Sequence, residues 1–231
     1  MPPGFDTVLV PIHRAGWPFI AAFLAAAGVL GLIWPPLGWV GCIATAWCVY
    51  FFRDPERVTP TRQGLVIAPA DGRIASIGLA IPPADLDLDA APMIRISIFL
   101  NIFDVHVNRL PVDGKVIARI HHRGTFVNAS LDKASEQNER LGLVIQMPDE
   151  RKIGLVQIAG LVARRIVCTA REGDSAQTGQ RYGMIRFGSR VDTWLPEGTS
   201  VQVVVGQRTM GGETVVADFT AREGRREGAR R

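Results

Sequence analysis

The residues of this chain that could do chemistry together are one serine, a few histidines and one aspartate. Ser189 follows Gly188 within Met184-Ile-Arg-Phe-Gly-Ser-Arg-Val-Asp192, toward the C-terminal end of 231 residues. A glycine before a serine suits self-cleavage. Without a Cβ, Gly188 can take a strained backbone and leave its carbonyl open to the neighbouring hydroxyl. A serine hydroxyl needs a base to take its proton, and the base needs an acid to hold it in one tautomer. His106 lies in Phe103-Asp-Val-His-Val-Asn-Arg109, just after the apolar run Ile94–Leu100. His121 and His122 end an expected strand before Arg123-Gly124, and His13 flanks the first apolar segment. Asp71, in Ala68-Pro-Ala-Asp-Gly72, is the candidate acid. Taken singly, an Asp in such a turn more often caps backbone amides, and a buried His is more often a satisfied core residue. Most Gly-Ser pairs are plain turns. Whether these residues meet in space is a question for the fold.

Several familiar chemistries are missing. The Gly-x-Ser-x-Gly elbow of ordinary esterases is absent, because the positions two before and two after Ser189 are Phe187 and Val191. There is no His-Glu-x-x-His, no Cys-x-x-Cys, no Walker loop and no Gly-x-Gly-x-x-Gly. Cys42, Cys48 and Cys168 form no even framework and no metal spacing, so they are expected to be reduced, with the main domain in the cytosol. The formal charge is +4, carried by 23 Arg against 3 Lys. Arginine pairs in a planar, bidentate way with phosphate and carboxylate, which suits an anionic lipid headgroup or membrane surface. It would also suit nucleic acid, but no aromatic-basic platform supports such a partner, and none is expected.

Two kinds of element must position these residues. Trp17–Trp34 and Leu37–Phe52 carry no charge, and Pro35-Pro36 interrupts them. Each run is at or just below the ~20 residues that span a bilayer. Basic flanks at His13-Arg14 and Arg53–Arg57 put both ends on the cytoplasmic side by the positive-inside rule. A tight hairpin over residues 1–53, re-entrant or barely spanning, is therefore expected at the cytoplasmic face of the cell (inner) membrane. From about Gly64 the pattern changes to short Val- and Ile-rich runs broken by Gly, Pro and Asp. Strands are expected at 65–67, 72–77, 93–100, 114–121, 143–147, 152–158, 163–169, 183–187, 200–205 and 213–217. One helix is expected at 128–136. Asp71-Gly72 and Asp113-Gly114 each follow a proline bend and open a strand, which hints at a repeated β unit. The expected fold is mainly β, sandwich- or barrel-like, over 54–220, with a basic, disordered tail at 221–231 that can touch anionic lipid.

The ordered segments PIHRAGWPFI, FFRDPERVTP, APADGRI, FLNIFDVHVNRLP, NASLDKASEQNER, QIAGLVARRIVC and GQRYGMIRFGSRVD resemble the short form of the phosphatidylserine decarboxylase family, over roughly residues 10–220. The resemblance implies a proenzyme. Ser189 would attack the Gly188 carbonyl, and the chain would split into a β chain ending at Gly188 and an α chain that begins with a pyruvoyl group made from Ser189. The two chains stay associated. That ketone would form a Schiff base with phosphatidylserine and serve as the electron sink for loss of carbon dioxide, giving phosphatidylethanolamine without a metal or pyridoxal phosphate. The family's autocatalytic Asp and His map onto Asp71 and His106. One departure stands out. Longer members carry a second His three residues after the first, where this chain has Arg109. His106 must then serve both steps or share them, with His122 as the second candidate. Asn138-Glu-Arg140 matches a family segment of uncertain role. Two other classes remain open at this level: a membrane-anchored serine hydrolase using Ser189, and an inactive lipoyl-like binding module. Both predict an uncut chain.

Overall fold

The computed structural model describes residues 10–86, 88, 91–124, 138–160, 166–186, 188–224 and 226–229. The chain divides into two compact units, residues 1–56 and residues 57–231.

The first unit is a helical hairpin of α1 (Trp17–Ile33) and α2 (Pro35–Phe51), joined by Trp34 alone. The two prolines do more than interrupt. They occupy the first turn of α2, where a missing N–H costs nothing and φ is already helical. Small residues let the helices touch: a Cβ on Gly38 would lie 2.8 Å from the Gly31 Cα, and one on Gly41 would lie 2.6 Å from the Ala27 Cβ. The ends are clasped by hydrogen bonds from His13 N to Phe52 O (2.8 Å) and from Asp54 N to Pro11 O (2.7 Å). Outward-facing Leu32, Ile33, Trp39 and Ile43 are exposed. Among the described residues one helical stretch, Arg14–Ile33, is long and apolar enough to cross a membrane.

The second unit is β throughout. Its strands are β1 (Leu65–Ile67), β2 (Gly72–Ala80), β3 (Met93–Leu100), β4 (Val107–Arg109), β5 (Gly114–His122), β6 (Arg140–Gln146) and β7 (Lys152–Ile158). They continue with β8 (Ile166–Cys168), β9 (Ser175–Ala176), β10 (Arg181–Ile185), β11 (Ser189–Leu195), β12 (Ser200–Val201), β13 (Arg208–Thr209) and β14 (Val215–Asp218). An eight-stranded sheet of order β13-β2-β3-β11-β7-β6-β5-β9 curls into a half-barrel, accompanied by the three-stranded sheets β4-β10-β8 and β1-β14-β12. The inner face of the large sheet buries Ile96, Ile98, Leu143, Leu155 and Val191 against Val66, Tyr182 and Ile185 of the smaller sheets. Its other face carries a smaller cluster of Leu86, Met93, Val144, Val156, Ile158 and Trp194.

The two Asp-Gly pairs do open equivalent strands. A Cβ on Gly72 would lie 2.2 Å from the Phe99 carbonyl oxygen, and one on Gly114 would lie 2.2 Å from that of Gln146. Both positions therefore need glycine, each at the start of a strand that pairs antiparallel with the next long strand. The expected mainly β fold with an N-terminal hairpin is what the chain adopts, though β4, β9, β11 and β13 were not among the expected strands. The expected helix at 128–136 lies outside the described residues. In the tail, Ser200 Oγ donates to Glu223 O at 3.0 Å and Arg226 Nη1 to Gln202 O at 3.0 Å.

Candidate active site

Ser189 is the first residue of β11, the strand at the middle of the large sheet. β3 pairs with it along Ser189–Leu195 and β7 along Arg190–Trp194. Its side chain is fully buried, and Oγ has no hydrogen-bond partner among the described residues. An unsatisfied buried hydroxyl costs about 1–3 kcal/mol, so its presence calls for a reason other than stability. Gly188, just before it, sits at φ +62°, in the left-handed region. Among the described residues, nothing outside its immediate neighbours lies within 4 Å of where a Cβ would be. The Gly188–Ser189 bond thus lies in the short link where the chain leaves β10 in one sheet and enters β11 in another.

His106 directly precedes β4, a strand of the smaller sheet β4-β10-β8. Its carbonyl accepts from Ile185 N at 3.3 Å, so the residue before β4 is tied to the last residue of β10. The imidazole is fully buried, and Nδ1 lies 2.9 Å from the Asp104 carbonyl oxygen. A carbonyl can only accept, so Nδ1 carries a proton, and in the neutral ring the lone pair is then on Nε2. That is the tautomer a general base needs.

Side-chain alternation puts His106 and Asn108 on one face of β4. Asn108 points at the large sheet, where Gln157 Nε2 donates to its Oδ1 at 2.7 Å. Gln157 stands opposite Val191 on β11, on the same face and one diagonal step, about 7–8 Å, from Ser189. The pair fits because β10 carries no side chain there: a Cβ on Gly183 would lie 3.1 Å from Gln157 Nε2.

Two backbone hydrogen bonds tie the segment before Asp71 to the one after His106. Ile67 N donates to Pro111 O and Arg109 N to Pro69 O, each at 2.9 Å. Asp71 itself lies in the bend that follows, just before β2. Its carboxylate accepts from Arg57 Nη2 and from Gly211 N, both at 2.8 Å. Arg109, at the place of the longer members' second histidine, is on the other face of β4 and donates to Gly179 O at 3.0 Å. His122 is elsewhere. It ends β5, three strand spacings from β11, roughly 14 Å away. There its Nδ1 is 3.9 Å from Asp85 Oδ2, while Arg140 Nη2 donates to the same oxygen at 2.9 Å. His121 Nε2 lies 3.1 Å from Glu139 Oε1.

Sequence reasoning missed Asp104, whose carbonyl orients His106 and whose carboxylate accepts from Asn101 N (2.9 Å) and Arg208 Nη2 (3.0 Å). The Asp-x-His spacing was a signal for it. It also missed Arg57, Asn108 and Gln157, which nothing in the linear pattern singles out. Next to Ser189, Arg190 and Asp192 form a buried pair on the opposite face of β11, with Nη2 to Oδ2 and Nε to Oδ1 both 2.9 Å. The Cys168 thiol on β8 is pushed up by burial and stays a weak nucleophile at neutral pH.

The sequence profile of the phosphatidylserine decarboxylase family matches residues 44–217. A phosphatidylserine decarboxylase proenzyme from Cereibacter sphaeroides is 54% identical over 226 residues, covering 98% of this chain and 97% of that protein. With this match running through both the apolar hairpin and the Gly188–Ser189 link, the chain belongs to the phosphatidylserine decarboxylase family.

Proposed function

We propose that the chain is made as a proenzyme that cuts itself between Gly188 and Ser189 and, once cut, converts phosphatidylserine to phosphatidylethanolamine. The observation that carries this reading is Ser189 itself: a buried hydroxyl without a hydrogen-bond partner among the described residues, behind a glycine at φ +62°, in a member of this family.

In the first step His106 Nε2 takes the Ser189 hydroxyl proton, and Oγ bonds to the Gly188 carbonyl carbon. The Ser189 nitrogen leaves as an amine, so an ester replaces the amide. Removal of the Ser189 α-proton then breaks the Cβ–Oγ bond and releases Gly188 as a carboxylate. The dehydroalanine left at position 189 takes up water and loses ammonia, which leaves a pyruvoyl group at the head of β11. Asp71 is assigned the task of holding the imidazolium that forms in the first step.

The residues present suit such a group. Residues beyond 188 supply β11 to β14, which pair with β1, β2, β3 and β7 of the larger fragment, so the cut leaves both fragments in one fold. Position 189 stays paired with Leu100 of β3 as a chain terminus. A pyruvoyl ketone supplies an electron sink for a substrate amine whose carboxylate is lost as carbon dioxide. The role of His106 in that turnover is to hold and return a proton at the substrate's α-carbon. The apolar hairpin holds the enzyme at the membrane that contains its lipid, with the β unit on the cytoplasmic face. A decarboxylation assay on purified wild type and Ser189→Ala tests the reading: phosphatidylethanolamine and carbon dioxide form in equal amounts with the first and not with the second.

A further inference from the structure

The turn that holds His106 also presents apolar surface to water. Asn101 Oδ1 accepts from Phe103 N at 2.7 Å, Asp104 N donates to Asn101 O at 3.0 Å, and Asp104 Oδ2 accepts from Asn101 N at 2.9 Å. The backbone is therefore closed on itself, and Asp104 is fixed at its root with His106 behind it. At its tip, Ile102 is 42% and Phe103 58% exposed. Burying these side chains would relieve a real cost, and nothing in the turn's own hydrogen bonding requires them to be large and apolar.

Two arginines stand beside this tip. Arg73 pairs with Phe99 on β3, at the end of the sheet where the turn begins, and Arg208 is directly opposite Arg73 across the β13–β2 ladder. Like charges placed opposite one another on neighbouring strands repel. Arg208 has Asp104 as one partner at 3.0 Å, but its side chain is 67% exposed, so that pair is screened by water. Among the described residues, Arg73 Nη1 reaches the Gly206 carbonyl at 3.3 Å. Such an arrangement gains when an anion lies over it.

We propose that the Ile102–Phe103 tip, with Arg73 and Arg208 beside it, docks on the surface of a bilayer that contains anionic phospholipid. The tip enters the headgroup layer, the arginines meet lipid phosphates, and His106 at the root of the same turn is held just above the headgroup on which it acts. An apolar tip flanked by cations is the chemistry of an interfacial lipid contact and not of a buried protein interface, which excludes charge from its centre. The inference rests on the decarboxylase reading for its substrate but makes a separate claim about where lipid touches the protein.

The test uses the full, self-processed chain in phosphatidylcholine vesicles and offers substrate in two forms. One is long-chain phosphatidylserine within the bilayer; the other is dihexanoyl phosphatidylserine dissolved as monomer. For the Ile102→Ser/Phe103→Ser variant, turnover of the bilayer form falls about tenfold or more. Turnover of the dissolved form stays within about twofold, the size of a change that leaves the reacting groups untouched. For Arg73→Gln, the bilayer rate falls by a smaller factor and loses part of its salt dependence. Equal losses on both substrates, or no loss on the bilayer form, overturn the proposal. A contact readout independent of turnover is an environment-sensitive dye on Phe103→Cys, with Cys42, Cys48 and Cys168 replaced by Ala. Lipid-borne quenchers should quench it, increasingly so as phosphatidylserine is added. An unquenched dye overturns the docking surface even if the enzyme is fully active. A quenched dye on a chain that turns over neither substrate leaves the docking surface standing and removes the decarboxylase reading.

Discussion

Gln157 and Asn108 join the two β layers behind Ser189 through one hydrogen bond, Nε2 to Oδ1 at 2.7 Å, with both side chains fully buried. Gln157 Oε1 and Asn108 Nδ2 have no partner among the described residues. Replacing either residue by Leu strands the other amide and should cost about 1–3 kcal/mol. Replacing both should cost less than the sum. Urea unfolding of the uncut Ser189→Ala protein with the two single variants and the double variant measures this coupling. Additive losses would mean that the amides do not act as a pair.

Gly188 and Gly183 make opposite demands. Gly188 has open space around its α-carbon but a left-handed backbone, so Gly188→Ala should fold with a loss of about 1–2 kcal/mol and cut more slowly. Gly183 faces the Val167 carbonyl, 2.3 Å from where a Cβ would stand, so Gly183→Ala should destabilise by about 3 kcal/mol. Melting temperatures and cleavage time courses of the two variants separate strain at the cut from crowding beneath it.

Much of this was readable in the linear chain. The Asp-Gly openings of β2 and β5, the apolar hairpin and the Gly188–Ser189 pair all leave strong local marks, because glycine and proline fix the backbone directly. β11 did not. Ser-Arg-Val-Asp-Thr-Trp-Leu does not alternate between apolar and polar, since Arg190 and Asp192 are buried as an ion pair on one face while Ser189 and Thr193 are buried on the other. A fully buried strand with paired charges looks like a loop to any hydrophobic pattern. Asn108 and Gln157 were equally silent, because only the packing of two sheets brings them together. Short β9 and β13, two residues each, are defined by their partners rather than by their own composition.

The histidines should separate cleanly. On the proposed mechanism His106→Ala should stall self-cleavage, the imidazole held by the Asp104 carbonyl being the base. His121→Ala and His122→Ala should cut at close to the wild-type rate, since both rings sit beside other carboxylates at the end of β5. Asp71→Asn should slow cleavage while retaining the Gly211 N contact that its side-chain oxygen accepts. Time courses on freshly translated chains measure all four. A stall confined to His122→Ala would move the base to β5 and refute the assignment to His106.

Asp218 gives a pH signature unrelated to catalysis. Burial alone would raise its carboxyl, but hydrogen bonds from Thr220 and Arg62 outweigh that and hold it at about 2, against 3.8 for an ordinary Asp. The folded value is the lower one, so these contacts add stability above about pH 4 and lose it as pH falls toward about 2. Asp218→Asn should be less stable than wild type near neutral pH, and the gap should close in acid. Urea midpoints measured from about pH 6 down to about pH 2.5 follow that convergence. A constant gap across that range would show that the carboxylate's charge contributes nothing.

The central claim is that Ser189 turns itself into the reactive group, and intact-mass analysis of the purified chain tests it most directly. Wild type should give two fragments, residues 1–188 with a free C-terminal carboxylate and residues 189–231 with a blocked N-terminus that reacts with hydrazines as a ketone. Ser189→Ala should give a single intact chain. An uncut wild type that still makes phosphatidylethanolamine, or a 189–231 fragment with a free serine amine, would contradict the account.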